Sequence, residues 1–145
     1  MINRELINPQ SIVVVGGSNN VHKPGGRLVR NLLDGKYKGE LYVVNAKEDD
    51  VQGLKSYHSV HDIPETELAI ISIPGPACPE AVDVLAKQKN VKAFIVISAG
   101  FGEETHEGAI LEEQMLKSIN EAGASLIGPN CIGLMNMHYH CLLYT

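Results

Sequence analysis

Short runs of aliphatic and β-branched residues recur along the chain, and most of them stop at a glycine, a proline or a small polar residue. A run that is apolar on both faces is typical of a central parallel strand, because such a strand is buried on both sides of its sheet. The pattern predicts five strands, at residues 11–16, 40–44, 68–73, 93–97 and 124–127.

Between these strands, apolar residues recur three and four positions apart, which is the spacing of one helix face. The predicted helices cover residues 27–33, a segment that begins near Pro79, and residues 107–122. Pro79 suits the first turn of a helix, where its missing N–H costs nothing. The residues expected to face inward on the last helix are Ile110, Leu111, Met115, Leu116 and Ile119.

Strands that alternate with helices connect through right-handed crossovers into a parallel sheet. The sequence therefore predicts an α/β fold, a Rossmann-like parallel β-sheet flanked by helices on both faces in a single domain. We assign residues 1–136 to this domain and residues 137–145 to a truncated C-terminal tail. The segment through Leu54, Tyr57 and Val60 is expected to be irregular.

Composition narrows the function classes. The chain has 145 residues and a net charge of −5, which argues against nucleic acid binding because that needs a basic face. Its three widely spaced cysteines indicate free thiols in a reducing compartment rather than a disulfide framework. The N-terminus lacks the apolar segment of a secretory signal, and no apolar run is long enough to cross a bilayer. We therefore expect a cytoplasmic protein that makes no membrane contact.

The loops that follow the predicted strands are rich in small residues. In an open parallel sheet, ligands bind beyond the carboxyl ends of the strands, so these loops are candidate ligand contacts. The first loop, from Gly16 to Gly26, offers backbone N–H groups at a helix N-terminus, which is a common phosphate site. It does not match the dinucleotide fingerprint G-x-G-x-x-G, and an ordinary strand-to-helix turn explains it equally well.

The end of the second strand differs from that of NAD-binding domains, which carry an acidic residue for the ribose hydroxyls there. Here the strand ends in Asn45, Ala46 and Lys47. Lys47 suits a phosphate on the ribose, such as the 3′-phosphate of coenzyme A (CoA) or the 2′-phosphate of NADP. A solvated surface lysine is the alternative.

Prolines at positions 74 and 76 make the third loop rigid, and its carbonyl groups are candidates to bind an amide-bearing ligand arm. A stiff strand-to-helix connection is the alternative. Cys78 and Cys131 are expected to be structural thiols, since no histidine is placed by sequence to activate Cys131.

The histidines do not predict a metal site. His22, His58, His61 and His106 lie in polar segments and are expected to be solvated. The string from His138 to Cys141 has metal-binding composition but lacks a second ligand pair, so we predict no metal.

Four strings, taken in order, resemble a known family. They are Ser11–Ser18, Tyr42–Lys47, Val96–Phe101 and Ile127–Asn136. They resemble the CoA-binding domain shared by succinyl-CoA synthetase α subunits and ADP-forming acetyl-CoA synthetases. The resemblance spans about residues 6–136, and its last string is the most specific. Ala46 departs from the family pattern, which has proline there.

The resemblance implies a Rossmann-like fold with CoA as the ligand. The residues it places at the CoA phosphates are Gly16, Ser18 and Lys23. Those at the nucleotide end are Asn45 and Lys47, and those along the pantetheine path are Ile73 and Pro74. Those near the thiol and the acyl-phosphate site are Ser98, Asn130 and Cys131.

The family's reaction converts acyl-CoA, ADP and phosphate into acid, CoA and ATP through a phosphohistidine. The resemblance implies that this histidine lies in a later domain, so we expect no catalytic residue in this chain. The chain alone is expected to bind CoA without turnover. Its expected partners are the remaining ligase domains or an ATP-grasp subunit, and assembly into an oligomer stays open. Two alternatives stay open: a stand-alone, non-catalytic CoA-binding regulatory module, and an NAD(P)-binding redox-sensing domain.

Overall fold

A computed structural model describes residues 2–136 and 141–144, with side chains described through Leu134. The main strands are β1 (Ser11–Val15), β2 (Glu40–Val44), β3 (Asp50–Val51), β4 (Leu54–Tyr57), β5 (Leu68–Ile71), β6 (Ala93–Val96) and β7 (Ser125–Ile127). The helices are α1 (Arg4–Ile7), α2 (Pro24–Asp34), α3 (Cys78–Gln88) and α4 (His106–Glu121). A single 3-10 turn, Gly75–Ala77, leads into α3.

The strands form one sheet in the order β3-β4-β2-β1-β5-β6-β7. Every neighbouring pair is parallel except β3 with β4, which form an antiparallel hairpin at one edge. The chain runs outward from β1 to this hairpin and then returns to place β5 on the other side of β1. Strand order reverses at β1 and β5, and a ligand crevice forms at such a switch point.

Alternation along β1 divides the core between the two faces of the sheet. Val13 and Val15 face a cluster that includes α3 and α4, whereas Ile12 and Val14 face a cluster that includes α2. All four side chains are at most 2% exposed. Burial of a side chain of this size contributes about 1.5–3 kcal/mol, so the central strand anchors both layers. The predicted α/β class and two-faced sheet are confirmed.

The element boundaries differ most from prediction in three places. Helix α2 begins at Pro24 rather than at residue 27, and β5 ends at Ile71 rather than Ile73. The segment predicted to be irregular contains β4, which pairs with β2. Strand β4 was missed because it lacks the apolar run of a central strand. It includes polar residues, and its one buried residue is Ser56.

The prediction that Ile110 faces inward is wrong, because its side chain is 45% exposed. The buried stripe of α4 includes Gly108, Met115, Ser118 and Ile119. At 3.6 residues per turn, Ile110 lies about 140° around the helix from Met115, which turns it away from the sheet.

Beyond the sheet, β8 (Gly133–Asn136) pairs with β9 (Cys141–Tyr144) in an antiparallel hairpin, and β9 lies against α2. Strand β9 falls within the segment that we assigned to the tail. The histidines of the candidate metal string, His138 and His140, lie outside the described residues. Within the described part of the chain, no helix combines the length and apolar character needed to cross a membrane.

Candidate functional site

A cleft of about 510 Å³ opens at the carboxyl ends of β1, β2, β4 and β5, where the strand order reverses. We call it the switch-point cleft. It is lined by seven of the ten residues predicted to contact a ligand: Gly16, Ser18, Lys23, Asn45, Lys47, Ile73 and Pro74. The convergence follows from parallel pairing, because every strand then ends at the same edge of the sheet.

One wall of the cleft is the β1–α2 loop, residues 16–23, packed tightly against the start of α2. Gly16 has a φ of 91°, and a Cβ there would overlap the Ser72 carbonyl. A Cβ on Gly25 would likewise overlap the Gly16 carbonyl. The first i→i−4 helical hydrogen bond of α2 is donated by Arg27, so the amides of the preceding glycines have no such partner. Such a helix N-terminus favours an anion.

The β3–β4 hairpin holds this loop in place. The side-chain amide Nε2 of Gln52 donates to the carbonyls of Ser18 and Gly26, both at 2.9 Å. Asn19 reinforces the contact. Its Nδ2 donates to the backbone carbonyl of Asp50 at 3.0 Å, and its Oδ1 accepts from the backbone amide of Gln52 at 2.7 Å. Sequence analysis missed Gln52, because nothing local indicates a contact across more than twenty residues.

Asn45 joins the ends of β1 and β2. Its Nδ2 donates to the Gly17 carbonyl at 2.8 Å, and its Oδ1 accepts from the amides of Lys47 at 2.9 Å and Glu48 at 3.1 Å. The donor explains why asparagine rather than a carboxylate occupies this position, since a carboxylate has no hydrogen to give the carbonyl. Asn45 therefore shapes the turn that carries Lys47 to the cleft.

The far wall of the cleft comes from the segment after β4, which sequence analysis did not assign to the site. It includes His58, Ser59, Val60 and His61. Both histidines are exposed, as predicted, yet both line the cleft. The register of β2 with β4 accounts for this, because the Asn45 amide donates to the Tyr57 carbonyl at 2.9 Å and brings His58 beside it.

The cleft carries charges of both signs. Lys23 and Lys47 supply fixed positive charge, and Glu80 on α3 supplies a negative one. His58 Nε2 lies 2.8 Å from Asp49 Oδ1, which ties the segment after β4 to the loop after β2. The net positive balance of the two lysines suits an anionic ligand.

Ser98, just after β6, does not line the switch-point cleft, but it is hydrogen-bonded to Ile73, which does. Its Oγ donates to the Ile73 carbonyl at 2.5 Å and accepts from the Ile73 amide at 3.1 Å. The thiol of Cys78 also approaches the carbonyls of Ile73 and Pro74, at 3.7 and 3.6 Å. Ser98 therefore engages the Ile73 carbonyl, and the Cys78 thiol approaches the Pro74 carbonyl, which is one of those that we expected to be available for a ligand.

Asn130 and Cys131 also lie outside the lining of the cleft. The Asn130 amide donates to the Ser98 carbonyl at 3.0 Å, and the Cys131 thiol donates to the Val96 carbonyl at 3.3 Å. These bonds place the end of β7 beside the end of β6. Ser98, Asn130 and Cys131 thus form a group of their own beyond the ends of β6 and β7, next to Ile73.

The thiol chemistry is that of structural cysteines. Burial raises the pKa of Cys78, whereas its contact with Ser98 acts in the opposite direction. Burial also raises the pKa of Cys131. Both shifts lower the thiolate fraction at neutral pH, so neither thiol is activated as a nucleophile. No group of three metal-ligating side chains occurs in the described ranges.

Fold and cleft together define a Rossmann-like domain of the nucleotide-binding class. The sequence profile of the CoA-binding domain family matches residues 10–137. The chain is 40% identical, over 135 residues, to the α subunit of acetate–CoA ligase (ADP-forming) II of Pyrococcus furiosus. That alignment covers 92% of this chain and 29% of the relative. The chain belongs to the CoA-binding domain family.

Solved structures agree with this membership. PH0766 from Pyrococcus horikoshii superimposes with a TM-score of 0.90 at 39% identity, covering 99% of this chain and 33% of that one. The dinucleotide-forming acetyl-CoA synthetase 1 of Korarchaeum cryptofilum, solved with phosphate and ADP, gives a TM-score of 0.86 at 34% identity. It covers 94% of this chain and 29% of that one. The chain therefore spans about a third or less of these relatives.

Proposed function

We propose that the chain binds CoA in the switch-point cleft and serves as the CoA-binding part of an ADP-forming acyl-CoA synthetase. The complete enzyme would convert acyl-CoA, ADP and phosphate into acid, CoA and ATP. The observation that carries the proposal is the combination at one cleft of an anion-binding helix N-terminus with Asn45 and Lys47 in place of a ribose-binding carboxylate.

In this proposal CoA lies across the edge of the sheet. The diphosphate meets the start of α2 and Lys23, and the 3′-phosphate meets Lys47. The pantetheine arm follows Ile73 and Pro74, and Ser98 holds the backbone of Ile73 in place. The thiol end then approaches Asn130 and Cys131, at the neighbouring strand end. The CoA thiol supplies the acyl acceptor, and this chain supplies position and charge.

Turnover needs groups that we assign to other domains. The phosphohistidine and the ATP-grasp portion are proposed to come from the remaining ligase domains or a separate subunit. The coverage of the relatives supports this, because the chain spans only 29% of the P. furiosus α subunit. We place the complete enzyme in the cytoplasm, where free thiols such as Cys78 persist.

A calorimetric comparison of CoA with 3′-dephospho-CoA tests the ligand assignment. Lys47→Ala should lower the affinity for CoA about tenfold, because a charge-assisted hydrogen bond contributes roughly 1.5 kcal/mol at an exposed site. The same variant should leave 3′-dephospho-CoA nearly unchanged. Lys38→Ala, an exposed lysine at the opposite end of β2, is the matched control. Equal losses for both ligands would refute the assignment of Lys47.

Lys47 also suits the 2′-phosphate of NADP, which keeps NADP as the second candidate ligand. NADH is disfavoured because Asn45 offers no carboxylate to the ribose hydroxyls. Titration with NADP and NADH in the same experiment separates the cases. Selective binding of either dinucleotide, with no binding of CoA, would replace the proposed function by a redox-sensing one.

A further inference from the structure

Gln52 lies outside the lining of the switch-point cleft, yet its side chain joins two parts of the cleft wall. Its Nε2 donates to the carbonyl of Ser18, in the β1–α2 loop, and to the carbonyl of Gly26, in the first turn of α2. Both hydrogen bonds are 2.9 Å long. One amide group therefore sets the spacing between the loop and the N-terminus of the helix.

The loop packs so closely against α2 that it needs such a donor. A Cβ on Gly26 would overlap the Asn20 carbonyl and would lie 3.0 Å from the Ser18 carbonyl oxygen. The Asn20 carbonyl accepts from the Lys23 amide at 3.1 Å, whereas the Ser18 carbonyl accepts from Gln52. A buried carbonyl that loses its donor costs free energy, so without Gln52 the Ser18 carbonyl would favour a loop that moves away from the helix.

The conformation of the β3–β4 turn does not explain a glutamine at this position. Gln52 and Gly53 are its two central residues, with φ of 52° and 87°. A turn with positive φ at both positions favours Asn-Gly, and a positive φ is uncommon for a residue such as glutamine. The buried Oε1 of Gln52 also has no hydrogen-bond donor among the described residues. The two hydrogen bonds from Nε2 offset both unfavourable features.

The turn that carries Gln52 is itself braced against the same loop. The Gln52 backbone amide donates to Asn19 Oδ1 at 2.7 Å, and Asn19 Nδ2 donates to the Asp50 carbonyl at 3.0 Å. The next residue, Val51, is fully buried and anchors the turn to the core. The side chain of Gln52 therefore projects from a fixed base, and the position of the loop depends on it.

We propose that Gln52 is a positioning residue for the diphosphate of CoA, acting through the β1–α2 loop rather than by contact with the ligand. The inference rests on the proposed function, since it concerns the same cleft and the same ligand. The bridge keeps Ser18, which lines the cleft, beside the helix N-terminus that favours an anion. The coupling is reciprocal, so a ligand that holds the loop against the helix also stabilises the hairpin turn.

The test is calorimetric titration of wild type and Gln52→Asn with CoA and with 3′-dephospho-CoA. Asn-Gly is the sequence that this turn favours, so the variant should fold, but its side chain is too short to bridge both carbonyls. The affinity for CoA should fall roughly three- to tenfold, the equivalent of about one hydrogen bond. The affinity for 3′-dephospho-CoA should fall by the same factor, because that ligand keeps the diphosphate.

Hydrogen exchange supplies a readout that a general loss of stability would not change. Saturating CoA should slow the exchange of the backbone amides of residues 50–53 in wild type, although this turn does not line the cleft. The slowing should be absent in Gln52→Asn. The amides of β6, a fully buried central strand, report global unfolding and serve as the reference.

Two further variants serve as checks. Gln52→Gly also suits a positive φ and removes the whole side chain, so it should repeat the loss of affinity for both ligands. Gln88→Asn makes the same substitution as Gln52→Asn at an exposed position at the end of α3, and it should behave as wild type. Urea unfolding of each variant checks that its fold is intact.

The outcomes distinguish the two proposals. Wild type that binds neither CoA nor 3′-dephospho-CoA would overturn the proposed function, and this inference with it. Wild type that binds CoA no more tightly than both Gln52 variants would overturn the positioning role alone. A loss of affinity confined to CoA would point to the 3′-phosphate instead, and an unchanged effect of CoA on exchange in Gln52→Asn would contradict coupling through the loop.

Discussion

The substitution Asn45→Asp tests whether the Asn45 amide holds the cleft together. Its Nδ2 donates to the Gly17 carbonyl at 2.8 Å, and its Oδ1 accepts from two backbone amides. An aspartate keeps the acceptor but replaces the donor by a second carboxylate oxygen. That oxygen would face the Gly17 carbonyl, so an attraction becomes a repulsion.

The magnitude follows from these contacts. Gly17 is buried, and leaving a buried carbonyl without its donor costs about 1–3 kcal/mol. The negative charge strengthens the two amide hydrogen bonds, which offsets about 1 kcal/mol of this cost. We therefore expect Asn45→Asp to lower the free energy of unfolding by about 0–2 kcal/mol, and the repulsion between the new oxygen and the Gly17 carbonyl favours the upper part of that range. It should also weaken CoA binding, because the new negative charge then lies beside Lys47.

Urea unfolding measures the loss of stability, and calorimetry measures the loss of CoA affinity. Gln114→Glu is the matched control, because it makes the same amide-to-carboxylate change at an exposed position on α4. A loss of stability no larger than that of the control would refute the role given to the Asn45 donor. Improved NADH binding by Asn45→Asp would show instead that the ribose lies within reach of this side chain.

Three further predictions concern other contacts. Gln52→Glu should lower the free energy of unfolding by roughly 2 kcal/mol, because a carboxylate would face two carbonyls that the amide now satisfies; unchanged urea stability would contradict this. Partial burial raises the pKa of Glu67, but hydrogen bonds from Arg4 and a backbone amide outweigh it and hold the pKa below its usual value. The stability that ionised Glu67 contributes is present above its unfolded pKa and is lost as the pH falls. Glu67→Gln should therefore reduce the drop in the urea midpoint between about pH 5 and 3. The same substitution at the exposed residue Glu113 should not reduce it. Cys78 should react with a thiol reagent only on unfolding, since it is fully buried with a raised pKa; mass spectrometry that finds rapid labelling of the folded chain would refute this.

The central strands could be predicted from the sequence because burial on both faces leaves a strong local signal. Strands β1 and β2 begin at the predicted residues, and β6 ends within one residue of prediction. The start of α2 was missed because Pro24 and two glycines carry no apolar spacing, and their helical conformation depends on packing against the β1–α2 loop. The inward assignment of Ile110 failed because apolar character alone does not fix the angle at which a helix meets the sheet.

The residues of the candidate site likewise fall into two groups, those that the sequence pattern predicts and those that it does not. Residues directly after central strands, such as Gly16 and Asn45, were found because the ends of parallel strands converge. Other residues of the site were not, because hydrogen bonds such as that between Gln52 and Ser18 join segments distant in sequence. The Pro74 carbonyl, one of those expected to be available for a ligand arm, already accepts from the Ala77 amide at 3.0 Å, which the sequence pattern did not indicate.

The β3–β4 hairpin is the main structural element that the sequence pattern did not predict. It buries few apolar side chains, Val51 among them, so no hydrophobic run reveals it. Yet it positions Gln52 against the β1–α2 loop and leads into His58, which forms the far wall of the cleft. His58 is exposed, so it can change at small cost in stability, whereas changes in β1 disturb both layers. One side of the cleft is therefore bounded by an edge element whose residues are recognisable only by their contacts across the sheet.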